Sequence, residues 1–222
     1  MYLFTGYLEF FLVKKLTYMT KSIEFYFDFV SPYSFLAHKK IRKIETNENI
    51  KFIYKPILLG GLHNLIGITA PAFINPKAKF MIRDCKMIAK KFNIKFTFNP
   101  LFPINSLNLM RGFLSISADK KKTYIDIFFD AYWQDGLNLN EEKIIISLLK
   151  KCKINKDDFT RKIKDQKIKN KLKKLTNEAF KKDIFGAPTF VVNKKIFWGQ
   201  DRLEYAIEEH KELNNFKSTI HH

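Results

Sequence analysis

The chain holds only two cysteines, Cys85 and Cys152, with no CxxC pair between them. A framework of disulfides is excluded, and so is a zinc site built on paired thiols. A reducing, cytoplasmic compartment is the expected location. Long apolar runs are missing too. The first residues, "MYLFTGYLEFFLVKKLTY", are interrupted by Glu9 and carry their lysines after the apolar part, the wrong order for a secretory signal and too short for a membrane span. Met19 begins "MTKSIEFYF", which reads as a domain start. Residues 1–21 are therefore expected to be an N-terminal extension, the first 18 a candidate for not being translated in the cell. Zinc-finger, basic-zipper and RNA-recognition signatures are absent, as are repeats and low-complexity linkers.

Acidic residues are the scarcer charge: 22 Asp and Glu stand against 40 Lys and Arg, for a formal charge of +18. The lysines are spread along the chain and densest in "RKIKDQKIKNKLKKL". That pattern suits solvated helix faces with a general attraction for small anions better than a nucleic-acid groove. With 46% hydrophobic residues among 222, the chain can bury one sizeable core. Phenylalanine is abundant enough that most of it must be core.

The pattern along the chain begins with a strand at about 23–30, a helix at about 32–46 and a strand at about 50–57. This is a βαβ unit, whose strands should be parallel. "GGLHNLIG" reads as a turn-rich passage. Helices are then expected over Pro76–Asn93, Asn105–Ser117, Lys120–Gln134, Asn140–Cys152 and 157–182, with Asn140 as an N-cap. Strand character returns at "PTFVVN" and "KIFWG", joined by a short hairpin connection, before a last helix from Gln200 to Leu213. The order predicts an α/β core, residues 22–60 and 184–213, interrupted by an all-helical insertion over 61–183.

Two stretches carry chemistry. In "FYFDFVSPYSFLAH", residues 25–38, a strand gives way to a helix with Ser31 as N-cap and Pro32 at the first helical position. Ser34 is expected to face the helix or its own backbone. In "FGAPTFVVNKKIFWGQDRL", residues 185–203, Pro188 opens a strand, after a cis or an ordinary trans Ala187–Pro188 bond. Gly199 ends the hairpin, and Gln200 and Asp201 open a helix. Asp201 either caps that helix or, with the helix-start amides, lines a site for a small polar ligand.

Taken together, these blocks resemble the 2-hydroxychromene-2-carboxylate isomerases and the related kappa-class glutathione transferases. "PILLGGL", "NPKAKFMIRDC", "FPINSLNLMRG" and "AYWQDGL" extend the likeness over residues 22–213. The resemblance implies a thioredoxin-like fold of the DsbA-like branch, a homodimer, a small aromatic substrate and glutathione as cofactor, without metal. It implies that Ser31, standing where redox relatives have a thiol, donates a hydrogen bond that favours the glutathione thiolate. Ala187 would pair by its backbone with the cysteinyl part, and Trp198, Gly199, Gln200 and Asp201 would surround the γ-glutamyl end. His63 and Asn64 stand where relatives often carry a lysine, which leaves no permanent cation there. Asn105 matches a polar position near the substrate pocket. The activity implied is a glutathione-dependent isomerase. Alternatives are a kappa-like transferase or peroxidase and a non-catalytic binding protein. Disulfide exchange is excluded by the serines at 31 and 34.

Overall fold

The computed structural model describes residues 22–48 and 50–220, with side chains through Asn215; the expected extension over 1–21 lies outside the described residues. Four strands form one sheet in the order β2–β1–β3–β4. Strand β1 (Ser22–Phe27) runs parallel to β2 (Lys51–Pro56), with Phe25 opposite Tyr54. Helix α1 (Pro32–Asn47) makes the crossover between them, as parallel pairing requires. Strand β3 (Thr189–Val192) lies antiparallel to β1 and β4 (Lys195–Trp198) antiparallel to β3. The hairpin turns on Asn193 and Lys194, whose φ of 46° and 70° match the tight turn that follows strand twist.

Strand alternation sends side chains to two cores. Ile23, Phe25, Phe27 and Phe190 face the larger one. There Phe25 stacks on Phe27 and Phe190 with ring centroids 5.6 and 5.4 Å apart, and Phe27 meets Phe113 edge-on. Each such ring, fully buried, contributes roughly 1.5–3 kcal/mol. Tyr26, Val191 and Ile196 face the smaller core with Ile57, Leu62, Ala179 and Ile184.

Between β2 and β3 the chain is helical: α2 (Leu59–Ile66), a short 3-10 turn (Pro71–Phe73), α3 (Asn75–Lys91), α4 (Leu107–Ser115), α5 (Ala118–Trp133), α6 (Glu142–Lys151), α7 (Lys156–Lys164) and α8 (Gln166–Phe180). After β4, a 3-10 turn (Gln200–Arg202) leads into α9 (Leu203–Ile220). Among the described residues no helix is long and apolar enough to cross a membrane.

Four expectations are corrected. "GGLHNLIG" is helix, because its first amides find acceptors far away in the chain: Leu58 N–H donates to Thr176 Oγ1 at 3.0 Å and Leu59 N–H to Asp28 Oδ2 at 2.8 Å. The stretch 157–182 is two helices, since Asp165 leaves helical geometry and its side chain accepts from the Lys167 amide, opening α8. Glu141, not Asn140, is the N-cap residue of α6. Strand β1 stops at Phe27, because Asp28 turns the chain and its carbonyl accepts from Ser31 N–H at 3.1 Å.

A buried polar chain joins the elements behind α1. His38, fully enclosed, lies 3.0 Å from Tyr54 Oη through Nδ1 and 2.7 Å from Asp126 Oδ1 through Nε2. Arg42 Nε binds the same carboxylate at 3.1 Å. Burial lowers the His38 pKa, against the pull of Asp126, so the ring is held neutral.

Candidate active site

Ser31 is the N-cap of α1, with Pro32 in the first turn behind it. Its Oγ accepts from Ser34 N–H at 3.1 Å and donates to the Ala187 carbonyl at 2.9 Å. That second bond closes the site from a point 156 residues away. The Ala187–Pro188 bond is cis, and Phe102–Pro103, not anticipated from the sequence, is cis as well. Ser34 is fully buried, and its Oγ has no hydrogen-bond partner among the described residues. Inward orientation agrees with expectation; a bond to its own backbone is not formed.

The βα junction below Ser31 is held by Asp28, a residue that sequence reasoning passed over. Asp28 is wholly buried and accepts from the amides of Val30 (3.1 Å) and Leu59 (2.8 Å), with the Ser106 hydroxyl close enough to favour its ionised form. Burial pushes its pKa up, and the Ser106 and amide bonds oppose that shift only in part. An acid in the middle of "FYFDFV" was the available signal.

The 198–201 passage reaches the same place through the hairpin. Trp198 pairs with Thr189 across β3–β4, and Gly199 N–H donates to the Pro188 carbonyl at 2.9 Å. Gly199 has φ +110°, and a Cβ there would lie 2.5 Å from Asp201 Oδ1. Glycine is thus required by the turn, and the exposed Asp201 carboxylate lies folded over it. Asp201 is exposed and pairs with Arg202 at 2.8 Å. Gln200 is buried, and its Oε1 has no partner among the described residues. Lys40, nearly buried on α1, holds this turn from beneath: its Nζ lies 3.4 Å from the Gln200 carbonyl and 3.5 Å from Glu204. Trp198, half exposed, lies against Phe185, ring centroids 4.8 Å apart, and over Gly186, whose hypothetical Cβ would meet the indole nitrogen at 2.5 Å.

Ser31 is thus bonded to Ala187, and the next residue, Pro188, to Gly199. No hydrogen bond among the described residues joins the other expected residues to Ser31. His63, read as a loop residue, is buried one turn into α2, where burial lowers its pKa and its Nδ1 has no partner among the described residues. Its neighbour Asn64 is exposed. Asn105 Oδ1 accepts from Leu107 N–H at 3.1 Å, and Asn105 lines a cavity of about 230 Å³ in the helical block with Asn108, Asn140, Lys156 and Thr160.

What this geometry can do is limited by its chemistry. No thiol stands at the helix start, and both cysteines are buried, Cys85 at 0% and Cys152 at 3% exposure. Helix-start amides and a hydroxyl donor suit an anion brought from outside.

Comparison with known proteins agrees with this frame. The 2-hydroxychromene-2-carboxylate isomerase of Sphingobium xenophagum is 26% identical over 189 residues, covering 84% of this chain and 96% of that protein. Glutathione S-transferase kappa 1 of Caenorhabditis elegans is 27% identical over 195 residues, covering 81% and 86%. Among solved structures, a 2-hydroxychromene-2-carboxylate isomerase superposes with a TM-score of 0.81 at 23% identity, over 89% of this chain and 98% of that one. The family model described as DSBA-like thioredoxin domain matches residues 22–209, nearly the whole described chain. The chain belongs to the DSBA-like thioredoxin domain family.

Proposed function

We propose that this protein is a glutathione-dependent isomerase of 2-hydroxychromene-2-carboxylate or a similar aromatic compound. The observation that carries the reading is the Ser31 hydroxyl, fixed at a helix N-terminus against the carbonyl that precedes a cis proline, in a site with no thiol of its own. Two groups of the 200–201 turn fit glutathione: Gln200 Oε1 is buried without a partner among the described residues, and Asp201, exposed and paired with Arg202, offers a carboxylate to an ammonium. Bound glutathione supplies a thiolate that adds reversibly to a conjugated double bond, permits rotation, and leaves again. Ser31 donates to that sulfur and, with the helix-start amides, favours its ionised form. Ala187 pairs with the cysteinyl backbone, and Trp198, Gly199, Gln200 and Asp201 hold the γ-glutamyl end. His63 is the nearest stand-in for the lysine of relatives, and Asn64 and Asn105 are assigned to the second substrate.

A kappa-type transferase or peroxidase is the second reading, supported by similarity to the kappa 1 transferases at the same level of identity. The reading includes a homodimer in the cytoplasm, which light scattering and fractionation test. The deciding experiment follows the absorbance of 2-hydroxychromene-2-carboxylate with enzyme, with and without glutathione. A glutathione-dependent change is expected, abolished or strongly reduced in Ser31→Ala. Its absence, with glutathione conjugation of an electrophile retained, moves the protein to the transferases. No melting-temperature rise with glutathione removes the site.

A further inference from the structure

A serine hydroxyl has one proton to give, and in this structure it is already given. Ser31 Oγ donates to the Ala187 carbonyl at 2.9 Å while accepting from Ser34 N–H at 3.1 Å. Ser31 is 4% exposed, Ala187 is intermediate in exposure, and the bond between them is partly buried. Among the described residues no other donor meets the Ala187 carbonyl. Strand β1 pairs with β3 only as far as Tyr26 opposite Thr189, then turns away at Asp28, which leaves Ala187 beyond the last rung. The next carbonyl, Pro188 O, is taken from the opposite side by Gly199 N–H. Ala187 thus lies two residues before β3 with its carbonyl on the Ser31 hydroxyl, the serine filling the place of a neighbouring strand's N–H.

We infer that Ser31 is released to a ligand's sulfur only when the same ligand brings an N–H donor to the Ala187 carbonyl. This rests on the glutathione reading above and deepens it: the site selects thiols whose cysteinyl residue is acylated on nitrogen, and takes simple thiols poorly. The physical reason is that swinging the Ser31 O–H toward a sulfur strands the carbonyl it leaves. A part-buried acceptor left without a donor is disfavoured enough to weaken the thiolate by roughly 10- to 100-fold. A peptide N–H arriving opposite Ala187 removes that loss, as in the addition of a strand to a sheet edge. The two contacts are then coupled through one proton that changes acceptor, and neither is worth its full amount alone.

The test uses the full chain and two ligands: glutathione, and its analogue in which an ester oxygen replaces the cysteinyl amide N–H. Ultraviolet thiolate absorbance gives the pKa of the bound thiol, and calorimetry gives the affinity, for wild type and Ser31→Ala. On wild type, the ester is expected to bind with a thiol pKa about one to two units above that of bound glutathione. Ser31→Ala is expected to raise the pKa of bound glutathione similarly, yet to change little for the ester. Losses that add across the cycle, or an ester thiol as acidic as that of glutathione, overturn the coupling and leave the glutathione site standing. Glutathione that stays un-ionised on wild type overturns the glutathione reading and this inference with it. The ester arm touches only the ligand, so it holds even if Ser31→Ala folds poorly.

Discussion

Asp28 accepts the amide of Leu59 at 2.8 Å, so a buried carboxylate in the loop below Ser31 also opens the helix that carries His63. One side chain therefore sets the spacing between the βα junction below Ser31 and helix α2.

Asp28→Asn keeps the shape but turns a donor NH₂ toward amides that are themselves donors. A loss of about 1–3 kcal/mol is expected in urea unfolding. The sign with pH is distinctive. Because burial raises the folded pKa above the ordinary 3.8, the unfolded chain ionises first as pH rises from that value. Wild type loses stability over that window and the variant does not, so the deficit of Asp28→Asn is largest at low pH and narrows as pH rises.

His38→Gln removes a ring that bridges Tyr54 and Asp126. Burial holds the folded pKa below the ordinary 6.5, so on acidification the unfolded chain takes the proton first. The stability contributed by the neutral ring is present above pH 6.5 and lost as pH falls toward the depressed pKa. His63 and His210 are shifted in the same direction and add to the same slope. Unfolding of the variant at about pH 8 and about pH 5.5 is expected to show a deficit of about 1–3 kcal/mol at the higher pH and less at the lower.

Two glycines are expected to behave differently. Gly199→Ala forces a side chain into φ +110° and against Asp201, and should destabilise the fold by more than about 1 kcal/mol while weakening glutathione binding. Gly186→Ala meets only the indole of Trp198, which is 53% exposed and free to swing outward. Its melting temperature should hardly move, whereas quenching of Trp198 by acrylamide should rise. The other tryptophan, Trp133, is fully buried and stays silent in that measurement.

Lys40→Met keeps an apolar stem but removes the ammonium that lies over the Phe92 ring and beneath the Gln200 carbonyl. A roughly 3- to 10-fold weaker Kd for glutathione is expected, with thermal unfolding shifted by only a few degrees. An unchanged Kd would show that the 200–202 turn needs no support from α1.

What could be read from the residues follows from the range of the interactions involved. The βαβ start, the Ser31 cap and the Asn193–Lys194 hairpin rest on neighbours in the chain, and all were legible. Helix α2 was not, because its glycine pair spoke for a turn and its two capping partners, Asp28 and Thr176, come from 31 and 118 positions away. The break at Asp165 was hidden by a lysine pattern that continues through it, although the capping aspartate was in view. Asn105 was matched to a polar position near a substrate pocket; its side-chain oxygen accepts the Leu107 amide at the start of α4.

The helical block is fastened to the sheet at the site itself. Trp133, at the end of α5, donates its indole N–H to the Phe29 carbonyl at 2.9 Å, two residues before Ser31, and Asp126 on the same helix anchors His38 on α1. A chimera that exchanged this block between relatives as a ready-made cassette would loosen the serine along with the cavity beside Asn105. Any graft has to carry both halves of those two bonds, so the natural unit of exchange is the whole chain from β1 onward rather than the insertion.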